Sequence, residues 1–218
     1  MFNIKVVYLQ KNNYNLNMTD NFQIIRQYLI DNGIPQHNAS SLMKHYVVEI
    51  ISRGKDNPDM PAANRHFKNY YFPCIDKFDR YESEIKNVCD ALRMRAYVSV
   101  NYKMYDQILM DTAAECAVRS AAHNYGKPYS IYKHCSGKYV NRNDKKFVVD
   151  IDEDQMYFFD EIKHHLDDKI VLIVPTKTGK HIITKPFNTL SFQQKFINKY
   201  GISPDIKKNH LTLLYENL

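Results

Sequence analysis

The spacing of apolar and polar positions divides the chain into amphipathic helices and short strands. Phe22, Ile25, Tyr28 and Leu29 recur at helical spacing behind Asp20 and Gln23, which resemble a capping arrangement; Gly33 and Pro35 end the run. Leu42, Met43, Tyr46, Val47, Ile50 and Ile51 fit one face of a second helix, closed by Arg53-Gly54. Ile85, Val88, Cys89 and Leu92 predict a third. Residues 104–123 predict a fourth, whose small face of Ala113, Cys116, Ala117 and Ala121 suits close approach to a sheet. Met156, Phe159, Ile162 and Leu166 mark another helix, as do Phe192, Phe196, Ile197 and Tyr200 ahead of Gly201. Strand-like runs fall at 1–9, 95–100, 147–149, 170–174, from His181 onward, and at 211–215. Residues 12–17, 53–66 and 124–146 read as loops.

Strands mixed with helices predict an α+β fold, a mainly antiparallel sheet flanked by helices. Residues 1–93 are expected to be mainly helical and 94–218 to form the α+β core, as two parts or as one continuous domain. There are no internal repeats.

Composition changes this picture little. The 218 residues are 44% hydrophobic and 25% charged, as in an ordinary globular chain, and long enough to bury a real core. A net charge of +6 is compatible with a polyanionic partner without singling one out. Cys74, Cys89, Cys116 and Cys135 form no CxxC pair and match no zinc spacing, so free thiols in a reducing cytoplasm are expected. No apolar run approaches the ~18–20 residues of a membrane span, and no signal peptide opens the chain.

The chemistry is concentrated in residues 147–187. The apolar run Phe147-Val148-Val149 ends in Asp150-Ile151-Asp152, and strand period puts both aspartates on one side. Carboxylates so close repel unless a cation lies between them, and their hard oxygens suit Mg²⁺ or Mn²⁺. The plain alternative is a strand end capped by aspartates. Further on, the turn Thr176–Lys180 leads into His181. Thr178 and Gly179 offer a hydroxyl and backbone N–H groups to a phosphate, Lys177 and Lys180 add charge, and His181 can donate to a phosphate oxygen. A simple hairpin with glycine and lysine in its turn explains the same residues. Lys185 follows at the end of that run and can point into the site with Ile183.

Basic side chains elsewhere are candidates for nucleic-acid contacts. Arg53, Lys55 and Arg65 lie in a polar loop, Arg95 precedes a strand, and Lys133 and Lys138 interleave with tyrosines. A solvated loop or a strand-edge arginine accounts for each of them equally simply. Phe67, Tyr70, Tyr71 and Phe72 can stack bases or pack a core.

Val149-Asp150-Ile151-Asp152 followed by Thr178-Gly179-Lys180-His181 resembles the first two motifs of the archaeo-eukaryotic primase (primase-polymerase) superfamily, with Thr178 where serine is usual. The third motif, an apolar residue followed by aspartate, is matched by Asp205, with Pro204 in the apolar place. The resemblance covers about residues 145–215 and implies a primase-polymerase-like core. It implies Asp150, Asp152 and Asp205 as ligands of Mg²⁺ or Mn²⁺, and Thr178, Gly179, Lys180, His181 and Lys185 at a nucleoside triphosphate. The implied function is metal-dependent nucleotidyl transfer on a single-stranded nucleic-acid template. The stretches HIITKPFN, RGKDNP and RAYVSVN are similar to tailed-phage proteins, which implies a viral origin and the host cytoplasm. Two other readings stand beside it. One is a non-catalytic nucleic-acid-binding protein with a degenerate form of this fold. The other is a two-histidine phosphoesterase built on His181 with Thr184 and His210 with Thr212, although strand period turns His181 and Thr184 to opposite faces.

Overall fold

The computed structural model describes residues 18–37, 44–54, 56–58, 65–124, 128–138 and 144–217, with Arg65 described by its backbone alone. The expected strand at 1–9, the loop at 12–17 and Lys55 lie outside these residues. The fold is α+β with antiparallel sheets.

The larger, six-stranded sheet takes the order β1-β10-β4-β2-β3, with a short β5 also paired to β2. Its strands are β1 (Met18–Asp20), β2 (Lys44–Ser52), β3 (Arg65–Phe72), β4 (Arg95–Ser99), β5 (Lys103–Met104) and β10 (Leu211–Asn217). Helices α1 (Phe22–Asp31) and α2 (Ile75–Leu92) pack on it, with Phe22, Ile25, Leu29, Ile75, Phe78 and Ile85 in one core with Val48, Ile50, Ala96 and Val98.

The expected helix over Leu42–Ile51 is instead strand β2 from Lys44 on. Nearly every residue of KHYVVEIIS is buried, because β2 is central and covered on both faces. A strand of that kind is apolar almost continuously and satisfies helical spacing by accident; its β-branched residues favour the extended form. Among the described residues before 94, helices α1 and α2 stand beside strands β1, β2 and β3. Helix α3 (Tyr105–Ala121) forms as predicted, but Ala113, Ala117 and Ala121 are exposed. It packs through Ile108 and Cys116 on Ile131 and Cys135 of α4 (Pro128–Lys138), a helix within the expected loop over 124–146. Pro128 begins α4, where the missing N–H is not needed.

The smaller sheet takes the order β7-β8-β6-β9, from β6 (Phe147–Ile151), β7 (Ile170–Pro175), β8 (Lys180–Thr184) and β9 (Asp205–Lys208). One face carries Val149, Ile151 and Ile182 against α5 (Phe159–Leu166) and α6 (Thr189–Tyr200). Each fully buried side chain of this kind contributes roughly 1.5–3 kcal/mol. Asn188 caps α6 by accepting from the Ser191 N–H, and Gly201, at φ +69°, ends it as predicted. On the opposite face Val148, Val174 and Ile183 join the core of the larger sheet. Period two puts Asp150 on that same face, one step beyond Val148. The inner face is thus apolar at one end of the strands and charged at the other.

Candidate active site

At the charged end, the two sheets part around a cleft of about 510 Å³. Strand pairing builds its floor: Asp150 of β6 lies opposite His181 of β8 on one side and opposite Asp205 of β9 on the other. Asp152, exposed just past β6, also lines the cleft, as do Thr176, Lys177 and Thr178 from the β7–β8 turn. The larger sheet supplies the facing wall, including Arg53, Arg95, Tyr97 and Leu213. The residues singled out as Asp-x-Asp, turn, histidine and third aspartate therefore converge on one space, although β9 itself was not anticipated.

Asp150 is the centre of the polar network. Its Oδ1 is 3.2 Å from His181 Nε2 and its Oδ2 accepts from Lys207 Nζ at 2.6 Å. Burial opposes its ionisation, but the hydrogen bonds from His181 and Lys207 and the charge of the lysine outweigh it and hold the carboxyl well below the usual carboxylate range. His181 is buried, with Nδ1 2.9 Å from Thr212 Oγ1 and 3.4 Å from the Leu213 backbone N. A backbone N–H only donates, so Nδ1 accepts and the ring directs Nε2–H at Asp150. Lys207 also lies 3.2 Å from Asp205 Oδ2, so one ammonium bridges two carboxylates. Burial would lower its pKa; Asp150 and then Asp205 raise it above the ordinary lysine value.

Gly179 has a steric reason. A Cβ there would run into the Ile151 carbonyl, so only glycine lets the turn close against the end of β6. Its N–H donates to Thr176 Oγ1 at 3.0 Å, and the Thr176 N–H to its carbonyl at 3.0 Å. That N–H is therefore already bonded within the turn. Thr178, exposed at the rim, is the hydroxyl the turn presents to the cleft.

Several expected contacts move elsewhere. Lys180 alternates with His181 and places its Nζ 3.9 Å from the Phe159 ring centroid, on the helix-covered face. Lys185 is exposed at the other end of β8, where its backbone N–H donates to the Lys169 carbonyl. Arg95 reaches the cleft wall, but its guanidinium is buried between Asp56 and Glu216, with each of three N···O distances 2.7 Å. It is a structural ion pair rather than a strand-edge arginine. Arg53 remains on the wall and donates to the Tyr97 hydroxyl at 3.3 Å. Lys133 lies 3.6 Å from Glu49 in a neighbouring cavity, and Lys138 3.8 Å from Asp111 on the surface. The Arg65 side chain and Lys55 lie outside the described residues. Tyr70 and Phe72 are core residues, whereas Phe67 is exposed.

Sequence reasoning missed Lys207 and Thr212. The signal for Lys207 was Asp205-Ile206-Lys207, the same i, i+2 spacing that made Asp150 and Asp152 conspicuous. Thr212 was weighed only as part of a histidine motif; its hydroxyl meets His181, from the other half of that supposed pair.

The oxygen donors on the cleft that could hold a hard divalent ion are Asp150, Asp152 and Asp205. Asp150 and Asp205 already hold a positive charge between them in Lys207 Nζ, and Asp152 adds an exposed carboxylate nearby. Among the described residues no three His, Cys, Asp or Glu side chains are drawn together tightly enough to hold an ion alone. Magnesium sites commonly complete their shell with water and substrate phosphate. No helix among the described residues is long and apolar enough to cross a membrane, and the four cysteines are free thiols. No protein-family model, curated protein or solved structure matches the chain.

Proposed function

We propose that this cleft performs metal-dependent nucleotidyl transfer of primase or primase-polymerase type. The observation that carries the reading is the strand register: Asp150 opposite both His181 and Asp205, with Asp152 and Thr178 on the same cleft. The incoming nucleoside triphosphate would lie with its phosphates along Thr178 and the Arg53 wall. A 3′-hydroxyl of the primer or first nucleotide would give up its proton to water and attack the α-phosphorus, forming the new P–O bond as the bond from the α-phosphorus to the α–β bridging oxygen breaks and pyrophosphate leaves. Asp150, Asp152 and Asp205 would hold Mg²⁺ or Mn²⁺, which would activate the hydroxyl and neutralise the leaving pyrophosphate. His181, fixed by Leu213 and Thr212, keeps Asp150 oriented and ionised. The template would be single-stranded nucleic acid, and a reducing cytoplasm would suit the free thiols.

The test uses labelled nucleoside triphosphate, Mn²⁺ and a single-stranded template. Incorporation is expected from the native chain and none from Asp150→Ala with Asp152→Ala. Incorporation that survives this double change would refute the mechanism.

The non-catalytic reading is favoured by one observation, the neutralisation of Asp150 and Asp205 by Lys207. It expects salt-dependent single-strand binding, indifferent to the aspartates, and no turnover. The phosphoesterase reading is not supported: Thr184 lies fully buried on the opposite strand face from His181.

A further inference from the structure

Lys207 stands where the reaction would need a metal. Asp205 and Lys207 alternate to the same face of β9, and the pairing with β6 sets Asp205 opposite Asp150 and Lys207 opposite Val148. From there the lysine stem turns toward both carboxylates, with Nζ at 2.6 Å from Asp150 and 3.2 Å from Asp205. The side chain is only about 30% exposed, and its stem lies along the cleft beside Val148. An ammonium and a divalent cation cannot both occupy that position, since like charges at contact distance repel.

We propose that Lys207 is a built-in counter-ion that a divalent metal must displace, so that metal and nucleotide load together. The inference rests on the nucleotidyl-transfer reading. With the cleft empty of ligand, the ammonium neutralises the carboxylate pair and lowers its appetite for metal. When metal enters, the ammonium is released into a cleft that must also accept a polyanion. Tethered on β9 by a flexible four-carbon stem, it is then a point charge available to a phosphate. Metal alone forfeits the two ion pairs, whereas metal with a triphosphate replaces them. The two ligands must therefore raise each other's affinity by the same factor.

Mn²⁺ titrations, followed through the electron paramagnetic resonance signal of the free ion, test this without turnover. The protein is titrated alone and with a nucleoside triphosphate whose α–β bridge cannot be cleaved. Lys207→Met is expected to bind Mn²⁺ alone about tenfold more tightly than the native chain, the factor equivalent to a pair of partly exposed ion pairs. It should also lose most of the gain that the nucleotide confers. Lys207→Arg, which keeps the charge, should behave like the native chain, and Asp150→Asn should bind least. Lys207→Gln serves as the second neutral variant, and thermal melting establishes that each is folded. Neutral variants that bind Mn²⁺ no more tightly than the native chain would overturn the inference and leave the nucleotidyl-transfer reading standing. Absence of Mn²⁺ binding in both the native and neutral chains, with and without nucleotide, would overturn that reading and the inference with it.

Discussion

Two charged clusters share the cleft wall and differ in every respect that separates scaffold from site. Around Arg95, the guanidinium meets Asp56 twice and Glu216 once at 2.7 Å, and the three side chains are 7%, 10% and 0% exposed. The geometry is bidentate toward Asp56, and all three side chains are nearly withdrawn from solvent. Around Asp150, the side chains are 18% exposed for Asp150, 30% for Lys207 and 61% for Asp205. Asp150, Lys207 and Asp205 all line the open cleft. Both clusters were flagged by charged residues in strands. What separates them is how far the charged groups are withdrawn from solvent.

Breaking the closed cluster should have the largest effect. Arg95→Met leaves Asp56 and Glu216 buried without their cation and should cost about 3–5 kcal/mol, measured by urea unfolding. Acid comes next and bears on neither cluster's geometry. His45 is buried beside Tyr71 and Tyr105, with Nε2 3.1 Å from the Tyr132 hydroxyl. Burial first, then Lys103, lowers its pKa from 6.5 to about 4. The unfolded chain therefore takes up the proton first as pH falls below 6.5. Stability should decline until the folded chain also protonates near 4, by up to about 3 kcal/mol. His45→Gln should flatten that slope in melts taken across the window. Asp150 acts in the same direction at lower pH: its depressed folded pKa gives a stabilisation that is fully present above the ordinary carboxylate pKa and is lost progressively as pH falls from there toward the folded value.

Gly179→Ala forces the turn away from the Ile151 carbonyl and should cost roughly 1–3 kcal/mol by thermal melting. The smallest change in stability is expected from breaking the open cluster. Asp150→Asn should cost about 1 kcal/mol, because Lys207 is partly exposed and retains Asp205. An Asp150→Asn penalty as large as that of Arg95→Met would erase the distinction between the clusters.

The candidate site was more legible than the framework around it. Asp150, His181 and Thr178 could be found because strand period and turn chemistry act over a few residues. β9 was hidden, since Asp205-Ile206-Lys207-Lys208 has a single apolar residue and gains its strand form only from pairing with β6. β2 was mistaken for a helix because burial on two faces removes the alternation that identifies a strand. α4 was concealed by a composition rich in tyrosine, serine and glycine. Arg95 could not be recognised as structural, because its partners are 39 and 121 residues away in the chain. Distant charge pairing leaves no local trace in a sequence.

The placement of β10 bears on how the molecule assembles. This strand lies between β1 and β4, and its Glu216 meets Thr19 across 197 residues, while β6 through β9 all fall within 147–208. β9 and β10 are separated only by Asn209 and His210, so the strands that complete the smaller and the larger sheet leave the ribosome within a few residues of one another. Until that stretch arrives, β1 and β4 lack the strand between them and β6 lacks its β9 neighbour, so both halves of the cleft are completed by the same short length of chain.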